Sequence, residues 1–302
     1  MNRNVPHSEA TSVTVNGIEL VYDTFGESSA PPMLLIMGLG CQMIEWDDGF
    51  CEQLASRGYL VIRYDNRDVG LSTRFDEAGV PDIRTLSQAA ARGEVLKVPY
   101  RLEDMAVDAV RLLDTLNIGA AHIVGLSMGG GIAQVMTLNY PTYVLSLTSI
   151  MYTTDDPTLP PPKPEAMELM SDIGTTFPDR ESYIEDYIAS LRVCNGSVLP
   201  FDELRARKLG ELRCERGPSP DGDIRHYAAI LASENRKAQL KAITKPTLVI
   251  HGEIDPVVPV ECGIDTANAI PNAKLLIIEK MGHDLAPVVW PQVIDAIAAL
   301  AV

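Results

Sequence analysis

The sequence is poor in the features that announce several common protein classes. Its five cysteines (Cys41, Cys51, Cys194, Cys214 and Cys262) are scattered, odd in number and without a C-x-x-C pair. That pattern argues against a disulfide framework or a zinc site, and for a reducing compartment. No apolar run approaches the roughly 20 residues of a bilayer-spanning helix. Residues 1–10 lack the apolar core of a signal peptide. A cytoplasmic protein with no membrane partner is therefore expected. Basic residues are scarce too, 25 Lys and Arg against 41 Asp and Glu, for a formal net charge of −16. Such a surface repels phosphate backbones, so nucleic acid is not expected as a partner.

Nearly half of the 302 residues are apolar, ample for one large core. After a loose lead-in of about a dozen residues, strands are expected at 12–15 and 18–23, hinged on Asn16-Gly17, a strong hairpin signal. Further strands are expected at 33–37, 59–63, 122–125, 144–152, 246–251 and 273–279. Helices fall between them at 49–57, 102–116, 128–139, 260–270 and 287–301. In the second of these Leu102, Met105, Ala106, Ala109, Leu112, Leu113 and Leu116 share one face. The alternation breaks after Asp155, where five prolines fall between Pro157 and Pro164, too stiff and donor-poor for a sheet interior. Charged helices at 164–172, 180–192, 201–212 and 222–235 follow. The expected fold is α/β: a mostly parallel central sheet of about eight strands, covered by helices on both faces. Residues 1–154 and 236–302 form the core, and residues 155–235 a helical cap inserted into it.

The sharpest local signal is Gly125-Leu126-Ser127-Met128-Gly129, a G-x-S-x-G between a strand and a helix. An alcohol is a weak nucleophile and needs exposure and an adjacent base. A strand-to-helix elbow lifts the serine from the sheet, and the flanking glycines leave room for neighbouring backbone. The base follows by elimination among five histidines. His7 lies in the lead-in, His122 and His251 lie in strands, and His226 sits on a cap helix. His283 follows the last strand, at the sheet end where functional groups collect. The carboxylate that orients an imidazole is expected from Asp255, in the loop after the preceding strand and stiffened by Pro256 and Pro259. Glu253 is expected to be exposed; Asp155 and Asp156 are rival acids. Acyl transfer also needs fixed donors for an oxyanion. The amide of Met128 and that of Leu39, in Met37-Gly38-Leu39-Gly40, are the candidates. An apolar pocket between cap and core is expected, with Gly38, Cys41, Met43, Ile44, Trp46, Met151 and Tyr152 in its wall.

With these residues in place, the chain resembles an α/β-hydrolase-fold serine esterase along nearly its whole length, least in the cap. Arg63-Tyr64-Asp65-Asn66-Arg67-Asp68-Val69-Gly70-Leu71-Ser72 resembles a D-x-R-G-x-G-x-S segment of that family, with Asp68 in place of a glycine. Together with Val124–Gly129 it is similar to the aclacinomycin methylesterase branch of bacterial esterases. The resemblance implies a Ser-Asp-His triad, no cofactor or metal, a helical lid, and structural pairing for Asp65 and Arg67. Many relatives carry His-Gly where this chain has Met37-Gly38, but a donated amide does not depend on that side chain. The expected activity is hydrolysis of short to medium acyl esters or methyl esters through an acyl-enzyme. Lactone cleavage, carbon–carbon hydrolysis and cofactor-free perhydrolysis use the same triad, and a non-catalytic ligand cup is the reading from another class. Dehalogenation and epoxide opening are disfavoured, because those relatives carry an aspartate where Ser127 stands.

Overall fold

The protein is described by a computed structural model over residues 5–301; positions 1–4 of the expected lead-in, and Val302, lie outside the described residues. The rest of the lead-in is not loose. Ser8 N donates to Thr24 O, Gly26 N donates to Pro6 O, and His7 stacks on Phe25. The hairpin of β1 (Thr11–Val15) and β2 (Ile18–Phe25) turns on Asn16 and Gly17, both at positive φ. Two such residues in a two-residue turn match the right-handed twist of the strands they join.

Beyond the hairpin come β3 (Pro32–Ile36), β4 (Leu60–Tyr64), β5 (Ala121–Leu126), β6 (Val144–Ile150), β7 (Thr247–Gly252) and β8 (Lys274–Ile278). Among the described residues they join one eight-stranded sheet in the order β1-β2-β4-β3-β5-β6-β7-β8. Only β1 with β2 and β2 with β4 pair antiparallel; the other pairs are parallel. Central strands of such a sheet must be apolar on both faces. In β3, Leu34 and Ile36 face one core, while Met33 and Leu35 face the other. The first core is covered by α3 (Leu102–Thr115), α4 (Met128–Asn139) and the end of α10 (Val260–Ala269). The second is covered by α1 (Asp48–Ser56) and α11 (Trp290–Leu300). The chain runs from β3 to β4, then returns to place β5 on the other side of β3. This reversal is a topological switch point, and it opens a crevice at the carboxyl ends of β3 and β5.

Between β6 and β7 the chain adds no strand. It forms α5 (Pro164–Ser171), α6 (Arg180–Asn195), α7 (Glu203–Arg216) and α8 (Pro220–Leu231), called the cap helices below, and the short α9 (Lys237–Leu240). A further helix, α2 (Ile83–Ala91), was not expected. Its start is set by Asp82, whose carboxylate accepts from the amides of Arg84 and Thr85, and it packs beneath Leu231 and Ala232. Among the described residues, no helix is long and apolar enough to cross a membrane.

Candidate active site

Ser127 occupies the junction between β5 and α4 with φ 54° and ψ −127°. A non-glycine residue pays for such a conformation in strain, and only surrounding contacts hold it there. The contacts are tight. A Cβ on Gly125 would sit 2.0 Å from the Gly129 carbonyl oxygen, and one on Gly129 would sit 2.0 Å from that of Ile36. Backbone meets backbone on both sides of the serine, so neither glycine is replaceable without moving the elbow.

His283 lies in the loop after β8. Its Nε2 is 3.0 Å from Ser127 Oγ, and its Nδ1 is 2.7 Å from Asp255 Oδ2. A carboxylate only accepts, so Nδ1 carries the proton and Nε2 is left to accept from the serine hydroxyl. Asp255, buried in the loop after β7, has its other oxygen held by the amides of Val257 and Val258 at 2.9 and 2.8 Å. Three loops at one end of the sheet thus bring the serine, the imidazole and the carboxylate into one hydrogen-bonded chain.

The rival residues are engaged elsewhere. Asp155 pairs with Arg236 at 2.8 Å and accepts from the Tyr152 hydroxyl, while Asp156 pairs with Lys237. Glu253 is exposed and accepts from the Lys280 amide. His7 binds Asp23, and His122 binds the Ser146 hydroxyl. His251 donates from Nε2 to Val258 O at 2.7 Å, and burial pushes its imidazole toward the neutral form.

The two expected oxyanion donors flank the serine. Met128 is the first residue of α4 and Leu39 sits in the loop after β3. Among the described residues neither amide is taken up by a backbone acceptor. Gly38 packs directly on the serine, a Cβ there falling 3.2 Å from Ser127 Cβ.

A cavity of about 410 Å³ opens beside this group. Gly38, Leu39, Cys41, Tyr152 and His283 line its floor, and Leu169, Met170, Tyr183, Tyr187 and Leu209 of the cap helices roof it. Four residues expected in the wall are not there. Met43 and Trp46 are almost wholly buried, Trp46 stacking on Phe50. Met151, fully buried, turns at φ 50° into the core shared with α11. The cause for the first two is a short 3-10 turn, Met43–Glu45, pinned by the Met43 amide on Asp65 Oδ1 at 2.7 Å. That turn presents Glu45 to the cavity, and neither Met43 nor Ile44.

Asp65 and Arg67 do not pair with each other. Arg67 forms a two-pronged bond to Asp108 at 2.6 and 2.8 Å, and Asp65 meets Arg216 of α7. Asp68, at φ 69°, holds Arg225 of α8 with both oxygens at 2.8 and 2.7 Å. It also accepts from the Tyr100 hydroxyl and the Phe75 amide. Burial opposes its charge, but these bonds outweigh burial and hold the carboxyl below its usual range.

Residues 31–287 match the family model described as alpha/beta hydrolase fold. The chain is 31% identical to rhodomycin D methylesterase of Streptomyces peucetius, over 95% of this chain and 96% of that one. It is 30% identical, over the same shares, to rhodomycin D methylesterase of Streptomyces sp. (strain C5). Among solved structures it superposes on a bacterial membrane phospholipase A with a TM-score of 0.72 at 23% identity, covering 97% of this chain and 85% of that one.

Proposed function

The chain belongs to the alpha/beta hydrolase fold family, and on that premise we propose that it hydrolyses carboxylic esters through an acyl-enzyme on Ser127. The observation that carries this reading is the continuous chain from Ser127 Oγ through His283 to Asp255 at the mouth of a cavity. Ser127 attacks the ester carbonyl carbon as His283 Nε2 takes the hydroxyl proton. The carbonyl oxygen becomes an oxyanion, held by the amides of Leu39 and Met128. Asp255 keeps the imidazole in the right tautomer and stabilises its cation. His283 then gives the proton to the departing alcohol, leaving the acyl group on Ser127. Water, giving a proton to the same nitrogen, attacks the acyl carbon; the bond from that carbon to Ser127 Oγ then breaks, Oγ takes the proton back from His283, and the free acid leaves.

The cavity and the relatives bear on the substrate class. A volume near 410 Å³ lies within the range of small-molecule sites. The similar chains from Streptomyces are named as methylesterases, which favours a small alcohol, methanol above all, leaving from a larger acid. The ion pair of Asp155 with Arg236 favours Asp255 as the acid of this mechanism.

The test is hydrolysis of p-nitrophenyl esters from acetate to decanoate, and of methyl esters of bulky aromatic acids, by wild type and Ser127→Ala. Saturable turnover that peaks at one acyl size and falls by at least about a thousandfold in the mutant is expected. A folded wild-type protein inert on every ester would overturn the reading.

A further inference from the structure

The loop that carries the Leu39 amide has little hydrogen bonding of its own. It reads Gly38-Leu39-Gly40, and Gly40 sits at φ +65°, a conformation glycine enters and leaves freely. Its one internal bond is weak, from the Cys41 amide to Gly38 O at 3.3 Å. Oxyanion stabilisation needs a donor fixed within a few tenths of an ångström. The rigidity must come from outside.

At the Met37 end the core supplies it, Asn66 Nδ2 donating to Met37 O at 3.0 Å; at the Gly40 end it comes from the cap helices. The Gly40 amide donates to Nδ1 of His226, on α8, at 3.1 Å. The Gly40 carbonyl accepts from Nη2 of Arg213, on α7, at 3.1 Å. His226 is fully buried and its Nε2 lies 2.8 Å from Arg67 O; a carbonyl only accepts, so Nε2 carries the proton and Nδ1 is the acceptor that Gly40 needs. Burial lowers its pKa to about 4, which keeps this tautomer neutral. Arg213 is fixed by Tyr183 Oη at 2.9 Å and by Glu45. Gln42 continues the hold, donating to Arg213 O and accepting from Arg216. Gly40 N belongs to the peptide that follows Leu39, so fixing that plane fixes the backbone through which the Leu39 amide is aimed.

We propose that His226 and Arg213 are positioning residues that clamp Gly40 and so aim the Leu39 amide, making the cap helices a structural part of the oxyanion hole. The inference rests on the ester-hydrolase reading of Ser127. On this account the cap does more than roof the cavity: a displaced α8 releases the donor even when Ser127, His283 and Asp255 stay in place.

Two substitutions separate the halves of the imidazole. In His226→Asn the amide oxygen reaches the place of Nδ1 and keeps the bond to Gly40. In His226→Gln the amide reaches the place of Nε2, keeping Arg67 O and losing Gly40. His226→Gln is expected to lower kcat about tenfold or more with KM within about threefold, and His226→Asn to restore most of kcat. Affinity for phenylboronic acid, whose serine adduct places an oxygen in the hole, should fall in H226Q by the same factor as kcat/KM. Binding of an uncleaved amide analogue should not. Arg213→Lys, which keeps a cation beside Glu45, gives the same signature if H226Q does not fold. Equal kcat in H226Q and wild type, or equal losses in H226N and H226Q, would overturn the clamp. An inert wild type would instead overturn the esterase reading, so the two failures are distinguishable.

Discussion

At the scale of single residues, Asp223 brings an ionisable carboxyl into the cavity beside the serine. This α8 carboxyl faces the cavity beside Gly40. Burial raises its pKa to about 7; Arg213 pulls it down, while Glu45 and Asp68 push it up. It therefore passes from neutral to anionic as pH rises through 7. We expect kcat/KM for an ester bearing a carboxylate on its acyl group to fall between pH 6 and 8, relative to a neutral ester of equal size. Asp223→Asn should remove that fall. Stability carries the same sign: a carboxyl with a raised folded-state pKa stabilises below about 4 and loses that contribution as pH rises through about 7. Asp223→Asn should thus raise Tm at pH 8 and leave it unchanged at pH 4. A flat wild-type ratio across this window, with no Tm gain, would remove Asp223 from the cavity's chemistry. Nothing in the sequence marks this residue, because its pKa is set by burial and by Glu45, Asp68 and Arg213, which the fold brings to it from distant parts of the chain. Ser127, His283 and Asp255 were readable, since each follows a strand at its carboxyl end. The choice of Asp255 over Asp155 was readable only in part: Arg236, far along the chain, is what occupies Asp155.

At the scale of elements, the cap is bound to the core by buried polar bonds. The chief one is Asp68 with Arg225, neither side chain exposed. Removing one partner of such a pair strands the other charge and costs about 3–5 kcal/mol. Arg225→Met is expected to lower unfolding stability by that amount in urea titration, and Asp68→Asn in the same chain to recover part of it. Additive losses would mean that the pair is not the tether. Asp68 stood out in the sequence as a replaced glycine, yet its use was hidden, because Arg225 lies 157 positions away. The core elements were legible for the opposite reason. Strands such as β3 and helices such as α3 bury apolar residues in the period of their own geometry. In the cap, polar residues such as Arg213 and His226 are buried, so periodicity alone did not show which faces turn inward. Met43, Trp46 and Met151 read as cavity wall because they are apolar and follow strands near the serine, yet they belong to the core. Helix α2 lies outside the expected elements, although Asp82 ahead of Ile83, Leu86 and Ala89 is a readable start.

At the scale of the whole molecule, one sheet reversal between β3 and β5 sets the loop of Leu39 against the elbow of Ser127, and later strands deliver Asp255 and His283 to the same end. The alternation of strands and helices already implied that sheet, because parallel strands need crossovers and the crossovers become its covering layers. The proposed function turns on one atom there, Ser127 Oγ as the nucleophile activated by His283. The most direct check is to treat the folded protein with a fluorophosphonate, which adds to activated serines, and to read the adduct by intact mass and peptide mapping. The account predicts a single adduct on Ser127, none in Ser127→Ala, and labelling slowed at least about a hundredfold in His283→Ala. A folded wild-type chain that stays unlabelled, or that is labelled at another residue, would contradict it.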